Sequence, residues 1–280
     1  MPVTTTRDTS ELREIAKELR VQIIRLLVEA KSGHPGGSLS EIDILTCLYF
    51  GAILRYRPDE PSWPERDRFV LSKGHCTPGY YSTLARAGYF PDEWLMTFRK
   101  IGSPLQGHPD RTKGPGVEAS TGSLGQGISI ALGIAIAAKI DDAPWRTYCM
   151  VGDGESESGQ VWEAVMSAPK FNLDNFCVIV DNNQVQQTEP VEKIMDLAPL
   201  ADKYRAFNWH VVEIDGHNFD EILAAFDEAA ATKGKPTAII AHTIKGKGVS
   251  FMELSPAWHG KAPSAEEGER AIAEILGGTK

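Results

Sequence analysis

Tyr148-Cys149-Met150-Val151-Gly152-Asp153-Gly154 is followed, after helical periodicity over residues 159–168, by Phe176-Cys177-Val178-Ile179-Val180-Asp181-Asn182-Asn183. Each apolar run is short and rich in β-formers, and each ends in a polar break, so the span reads strand, helix, strand. Working outward, Arg68-Phe69-Val70-Leu71, His210-Val211-Val212-Glu213-Ile214 and Thr237-Ala238-Ile239-Ile240-Ala241 have the same form, with helical patterns at 124–140 and 219–231. Strands alternating with helices predict an α/β fold: a three-layer parallel sheet with helices on both faces. Ligands of such sheets bind beyond the carboxyl ends of the strands, which directs attention to the residues directly after each run.

A first helix is expected from about Ser10, carrying Leu12, Ile15, Leu19, Ile23, Leu26 and Leu27 at helical spacing and ending before Ser32-Gly33-His34-Pro35-Gly36-Gly37, where glycines and a proline forbid continuation. A last helix is expected near residues 264–276, opened by the capping box Ser264/Glu267 and presenting Ala271, Ile272, Ile275 and Leu276 on one face. Residues 1–263 thus form one domain. Residues 264–280 form a terminal helix that packs on that domain or on a partner, and the finish at Gly277-Gly278-Thr279-Lys280 weakly favours a natural terminus.

Among 280 residues, 42% are hydrophobic and 24% charged, enough apolar material for a full core. The formal net charge of −9 argues against a nucleic-acid surface, which needs clustered Lys and Arg. The longest apolar run, residues 128–140, is shorter than the roughly 20 residues a membrane helix needs. Since residues 1–11 also lack a signal peptide's apolar core, the cytoplasm is the expected location. Cys47, Cys76, Cys149 and Cys177 form no C-x-x-C pair and read as reduced, buried thiols.

Asp153 and Asn183 emerge on one edge of the sheet. A carboxylate oxygen from Asp153, an amide oxygen from Asn183 and a nearby backbone carbonyl, that of Val185, supply three hard donors. With two phosphate oxygens and a water they complete the octahedral oxygen shell of Mg²⁺. Two competing phosphate motifs fail: Gly152-x-Gly154 has Glu157 where the dinucleotide fingerprint needs its third glycine, and Gly246-Lys247-Gly248 lacks the Ser or Thr of a P-loop. Five of seven histidines adjoin glycine, namely His34, His75, His108, His217 and His259, whereas His210 and His242 sit on or at the end of strands and read as structural. One loop histidine is usually incidental; five beside glycines suggest neutral donors and acceptors where backbone comes close to a ligand.

The pairing of Gly-Asp-Gly with Asp-Asn-Asn resembles the thiamine diphosphate fingerprint of transketolases and related enzymes. Ser32-Gly33-His34-Pro35-Gly36-Gly37, Leu71-Ser72-Lys73-Gly74-His75, Gly107-His108-Pro109, Thr121-Gly122-Ser123-Leu124-Gly125-Gln126-Gly127 and Trp258-His259-Gly260-Lys261 are similar to the successive motifs of the transketolase N-terminal domain, in the family's order. The resemblance implies that Asp153 and Asn183 bind Mg²⁺. It implies that His75 and His259 meet the diphosphate with Lys245 nearby, and that Gly154 and Asn183 add contacts. Gly122, Ser123 and Leu124 would meet the aminopyrimidine through backbone groups. His34 and His108 would face the sugar, bind its hydroxyls and shuttle protons, with thiamine diphosphate as the electron sink.

One position departs from the family pattern. Ser158 stands where a glutamate of an interfacial acid network is usual; Glu157 is adjacent but one helical residue turns a side chain by about 100°, while Glu163, matching a second acid of that network, is retained. The resemblance also implies a second, pyrimidine-binding domain that carries the activating glutamate and grips the sugar phosphate. The expected assembly is therefore a split transketolase of two such chains with two pyrimidine-domain chains, active only together. The rivals are another thiamine enzyme, such as a 2-oxo acid dehydrogenase component, and a cofactor-binding module without catalysis. The first would not carry His34, His75, His108 and His259 together; the second would show eroded metal ligands.

Overall fold

The computed structural model describes residues 5–277; residues 1–4 and 278–280, which include most of the tail read as a terminus, lie outside the described part. Five strands, β1 (Arg68–Leu71), β2 (Thr147–Gly152), β3 (Phe176–Asn182), β4 (His210–Asp215) and β5 (Thr237–His242), form one sheet in the order β1-β2-β3-β5-β4. Every pairing is parallel. The expected α/β layering is therefore observed, and all five strands end on one edge.

Side chains alternate between the two faces, as the two-residue period of a strand requires. Phe69, Leu71, Tyr148, Met150, Cys177, Ile179, Ile239 and Ala241 join one core; Val70, Cys149, Val151, Val178, Val180, Ala238 and Ile240 join the other. The first face is covered by α1 (Thr9–Ala30), α3 (Ile42–Phe50), α4 (Thr77–Arg86) and α9 (Phe219–Ala231), and the second by α5 (Gln126–Ile140), α6 (Gly159–Lys170) and α8 (Leu200–Ala206). All four cysteines are free and buried. No helix among the described residues is long and apolar enough to cross a membrane.

Helix α1 starts where Asp8 accepts hydrogen bonds from the backbone N–H groups of Ser10 and Glu11, and ends at Lys31, which takes a left-handed conformation (φ 51°). Its stripe of Leu12, Leu19, Ile23, Leu26 and Leu27 is buried, each contributing roughly 1.5–3 kcal/mol. The helix thus stops before Ser32 as expected, and within the segment that follows a new short helix begins, α2 (Pro35–Ser40), with Pro35 in its first turn and both Gly36 and Gly37 inside. Proline's fixed φ suits a first turn. The glycines serve packing: a Cβ on Gly36 would lie 2.9 Å from Lys245 Cγ, and one on Gly37 2.5 Å from Cys76 Sγ.

The last helix, α10 (Ala265–Ile275), opens with the expected capping box and rests on α1 of this same chain, Gly268 against Val28 and Ile24 and Ala271 fully buried. Leu276 departs from the expected apolar face: it is the C-cap, past the last turn, and is 55% exposed. One further short helix, α7 (Val191–Ile194), lies between β3 and α8 with none of its residues buried.

Candidate active site

The carboxyl ends of the strands converge on a cavity of about 510 Å³. From β1 come Lys73 and His75, from β2 Gly152, Asp153 and Gly154, from β3 Asn183 and Val185, and from β5 Lys245; His34, Gly37, Gly122, Leu124 and His259 also line it, with Glu155 and residues of the 186–194 segment. Of the residues singled out in the sequence, His108 and Ser123 do not line it but sit beside it, on exposed turns. The His108 ring packs on Gly122, where a Cβ would lie 2.8 Å from its Cδ2. Glu163 is not brought to the cavity; it lies on the exposed face of α6, a turn from exposed Met166.

His34, His75 and His259 form a near-equilateral triangle, with ring centroids 5.1, 5.3 and 5.2 Å apart. Three imidazolium ions cannot share such a space. Burial lowers His34 to about 4, aided by the cation of Arg99, and lowers His259 to about 3, aided by Lys245. His75 falls well below its ordinary value, chiefly through burial and then Lys73, and His108 is lowered by burial and Arg99. Lys245 Nζ lies 2.9 Å from His259 Nδ1. An ammonium group only donates, so Nδ1 accepts and the proton of neutral His259 is on Nε2.

A histidine with a folded pKa below its unfolded 6.5 binds fewer protons folded than unfolded, so stability is lost as pH falls from 6.5 towards the folded value. The expected outcome is a smaller drop in melting temperature between about pH 7 and about pH 4.5 for His34→Asn than for the parent chain. An unchanged drop would mean that His34 takes up its proton as easily folded as unfolded.

Beside the triangle lie the three expected metal donors. Asp153 is 5% exposed and forms no ion pair among the described residues. Burial and the neighbouring Asp181 raise its carboxyl to about 6. Its oxygens accept from Gly154 N at 2.8 Å and Gln184 N at 2.6 Å; Asn183 Oδ1 accepts from Val185 N at 3.3 Å, and Val185 O accepts from Lys245 Nζ at 2.7 Å. A buried carboxylate with no direct ion-pair partner among the described residues, beside an amide oxygen and a carbonyl, fits a hard divalent cation. No group of three or more His, Cys, Asp or Glu side chains set to hold a metal occurs among the described residues, and this donor set has a single acid.

Beneath the cavity is a network not anticipated from the sequence. Lys73 Nζ bonds Asp181 and the Gly37 carbonyl and lies 3.1 Å from Glu41, and Asp181 also accepts from Ser40 and Thr243. Burial is the largest single influence and works against the Lys73 ammonium, yet the groups around it, Asp181 foremost and then Cys76 and Glu41, together hold Lys73 well above its ordinary value. Glu41, wholly buried, is raised to about 8 by burial. Lys73 and Asp181 both belong to motifs visible in the sequence, but their contact spans 108 residues and only the register of β1, β2 and β3 creates it. Glu41 had no sequence signal.

Two close approaches shape the wall. A Cβ on Gly74 would lie 2.6 Å from Thr121 Oγ1 and 2.8 Å from Gly122 N, and Gly122 itself has φ of 139°. Gly74→Ala is therefore expected to displace the 121–122 turn and to cost about 1–3 kcal/mol in urea unfolding; a variant as stable as the parent would show that the turn yields freely. The second approach is that of Ser158 to Gly125. Its Oγ lies 2.5 Å from where a Cβ of Gly125 would be. The helical relation expected between Glu157 and Ser158 is corrected: residues 154–157 form a 3₁₀ turn and Ser158 is the extended N-cap of α6. Glu157 accordingly points to the β3 loop, accepting from Gln186 Nε2 at 3.0 Å.

Comparison with known proteins supplies independent findings. The family described as transketolase, thiamine diphosphate binding domain, matches residues 12–278. The chain is 41% identical to an apulose-4-phosphate transketolase subunit of Phocaeicola vulgatus over 96% of its own length and 94% of that protein's. It is 44% identical to the 6-deoxy-6-sulfo-D-fructose transketolase subunit SqwG of a Clostridium species, over 95% and 96% respectively. Transketolase of Homo sapiens is 40% identical over 94% of this chain, which spans 42% of the human protein. The solved transketolase of Campylobacter jejuni superposes with a TM-score of 0.90 at 35% identity, over 95% of this chain and 42% of that one.

Proposed function

The chain belongs to the transketolase family, as its thiamine diphosphate-binding domain, and on that premise we propose that it is one subunit of a split transketolase transferring a two-carbon ketol unit from a ketose to an aldose acceptor. The observation that carries the proposal is the triangle of neutral histidines beside the Asp153, Asn183 and Val185 donors. Asp153, Asn183 and the Val185 carbonyl would hold Mg²⁺. His75, His259, Lys245 and Gly154 would hold the diphosphate, and the backbone of Gly122, Ser123 and Leu124 the aminopyrimidine. Bound there, thiamine diphosphate supplies the electron sink for breaking the donor's carbon–carbon bond.

The chain's own residues then have separable tasks. His34, neutral and with its buried Nδ1 lacking a partner, can take a hydroxyl hydrogen bond and accept a proton. His108, at the rim, reaches groups further along the sugar. Two relatives of matching length are named for different sugars, one a phosphate and one a sulfo sugar. The substrate class proposed here is accordingly a ketose with an anionic tail, gripped by residues outside this chain. Matching-length relatives named as subunits support a partner chain, here taken as a pyrimidine-domain chain in a two-plus-two assembly, and exposed Glu163 and Met166, one turn apart on α6, fit a protein contact.

Native mass spectrometry of the chain purified from its own cells, with Mg²⁺ and thiamine diphosphate present, tests this reading. A heteromer with a second chain and about two cofactors is expected. A homomer would remove the source of the pyrimidine-side glutamate and bring the non-catalytic reading forward.

A further inference from the structure

Four of the five glycine-adjacent histidines gather at or beside the cavity; the fifth, His217, does not. It sits in the turn after β4, with its side chain 11% exposed. Its Nδ1 is 2.8 Å from Asp43 Oδ2, and its Nε2 is 2.8 Å from the backbone nitrogen of Ile244. A backbone N–H only donates, so Nε2 accepts and Nδ1 carries the proton to the carboxylate. The tautomer is fixed from both sides.

Asp43 is held in turn by Arg20 through two bonds of 2.8 and 2.7 Å, and Arg20 Nε reaches the Lys247 carbonyl at 3.3 Å. The chain Arg20–Asp43–His217 therefore grips the backbone at 244 and at 247, on both sides of Lys245. Among the described residues, His217 Nε2 is the acceptor that Ile244 N–H has. Lys245 is 3% exposed, and its Nζ reaches Val185 O, Gln186 O and His259 Nδ1.

We propose that His217 is a positioning residue for Lys245: by accepting the Ile244 N–H on a ring anchored through Asp43 to α1 and α3, it fixes the backbone from which Lys245 enters the diphosphate subsite. This rests on the assignment of Lys245 to the diphosphate. Without the acceptor, a largely enclosed N–H is orphaned and the 244–246 turn shifts to satisfy it.

The two ring nitrogens can be tested separately, because a glutamine carbonyl reaches the place of Nε2 while an asparagine amide reaches that of Nδ1. His217→Gln keeps the acceptor for Ile244 and gives up the Asp43 bond; His217→Asn does the reverse. Calorimetry on the full chain with Mg²⁺ and thiamine diphosphate is expected to show affinity about tenfold weaker in His217→Asn and within about twofold of the parent in His217→Gln. Both variants should lose similar thermal stability. With the co-purified partner, turnover of His217→Asn should recover at saturating cofactor. If both variants bind like the parent, or both weaken in step with their lost stability, His217 only supports the fold and the proposal is overturned. A parent chain that binds no cofactor, alone or with its partner, is a separate result, visible before any variant is made, and it removes the assignment of Lys245 and the proposal with it.

Discussion

Asp153→Ala is expected to eliminate Mg²⁺-dependent binding of thiamine diphosphate, weakening calorimetric affinity by at least about a hundredfold, since even residues behind metal ligands are worth 10–100-fold. Asp153 is the one acid of the donor set, and its buried carboxyl, raised to about 6 by burial and by Asp181 despite the nearby Lys245 cation, has no direct ion-pair partner among the described residues. The fold should survive. Removing a carboxylate whose ionisation burial disfavours relieves a cost, which offsets the two backbone N–H groups, of Gly154 and Gln184, left without their acceptor. Circular dichroism and an apo melting temperature close to the parent's would show this, and cofactor affinity that did not change would sink the metal assignment.

His108→Ala is expected to do the opposite: leave cofactor binding intact and slow cleavage of the donor by about 10²- to 10⁴-fold, the span typical of a lost general acid or base. The separation follows from position. His108 lies on an exposed turn, its ring against Gly122 and outside the cavity wall, whereas His75 and His259 form that wall with Lys245. Burial and Arg99 keep the imidazole neutral, as a proton acceptor must be. Single-turnover measurement with excess enzyme complex reads the cleavage step apart from acceptor capture. An emptied cofactor site in this variant would mean that His108 belongs to the cofactor and not to the sugar.

The two variants probe different levels of what the chain encodes. The layers of the fold were legible because strands buried on both faces leave continuous apolar runs, and all five runs became strands within a residue or so at each end. The neighbours Asp153 and Asn183 were legible because each directly follows such a strand in a parallel sheet, and the motif order added His34, His75, His108 and His259. Local chemistry was legible as well: the Ser264/Glu267 box caps α10 as its spacing requires. Tertiary contacts decided what local rules left open. The glycine-rich segment stops α1 as read, but that Gly36 and Gly37 sit in a second short helix was not legible, since their smallness answers to Lys245 and Cys76, which take the space that side chains would fill.

By itself the sequence determined the α/β class, the edge of the sheet on which the cavity lies, and many of the residues that line it, because each of these depends on periodicity, on adjacency along the chain or on the order of motifs. Only the tertiary structure decided which charges meet: Lys73 with Asp181 and Glu41, Lys245 with His259 and the Val185 carbonyl, and His217 between Asp43 and Ile244. These contacts join residues up to 174 positions apart. Their protonation states follow from burial and from the charge packed against each group, quantities that exist only once the strands are in register and the helices have closed over them.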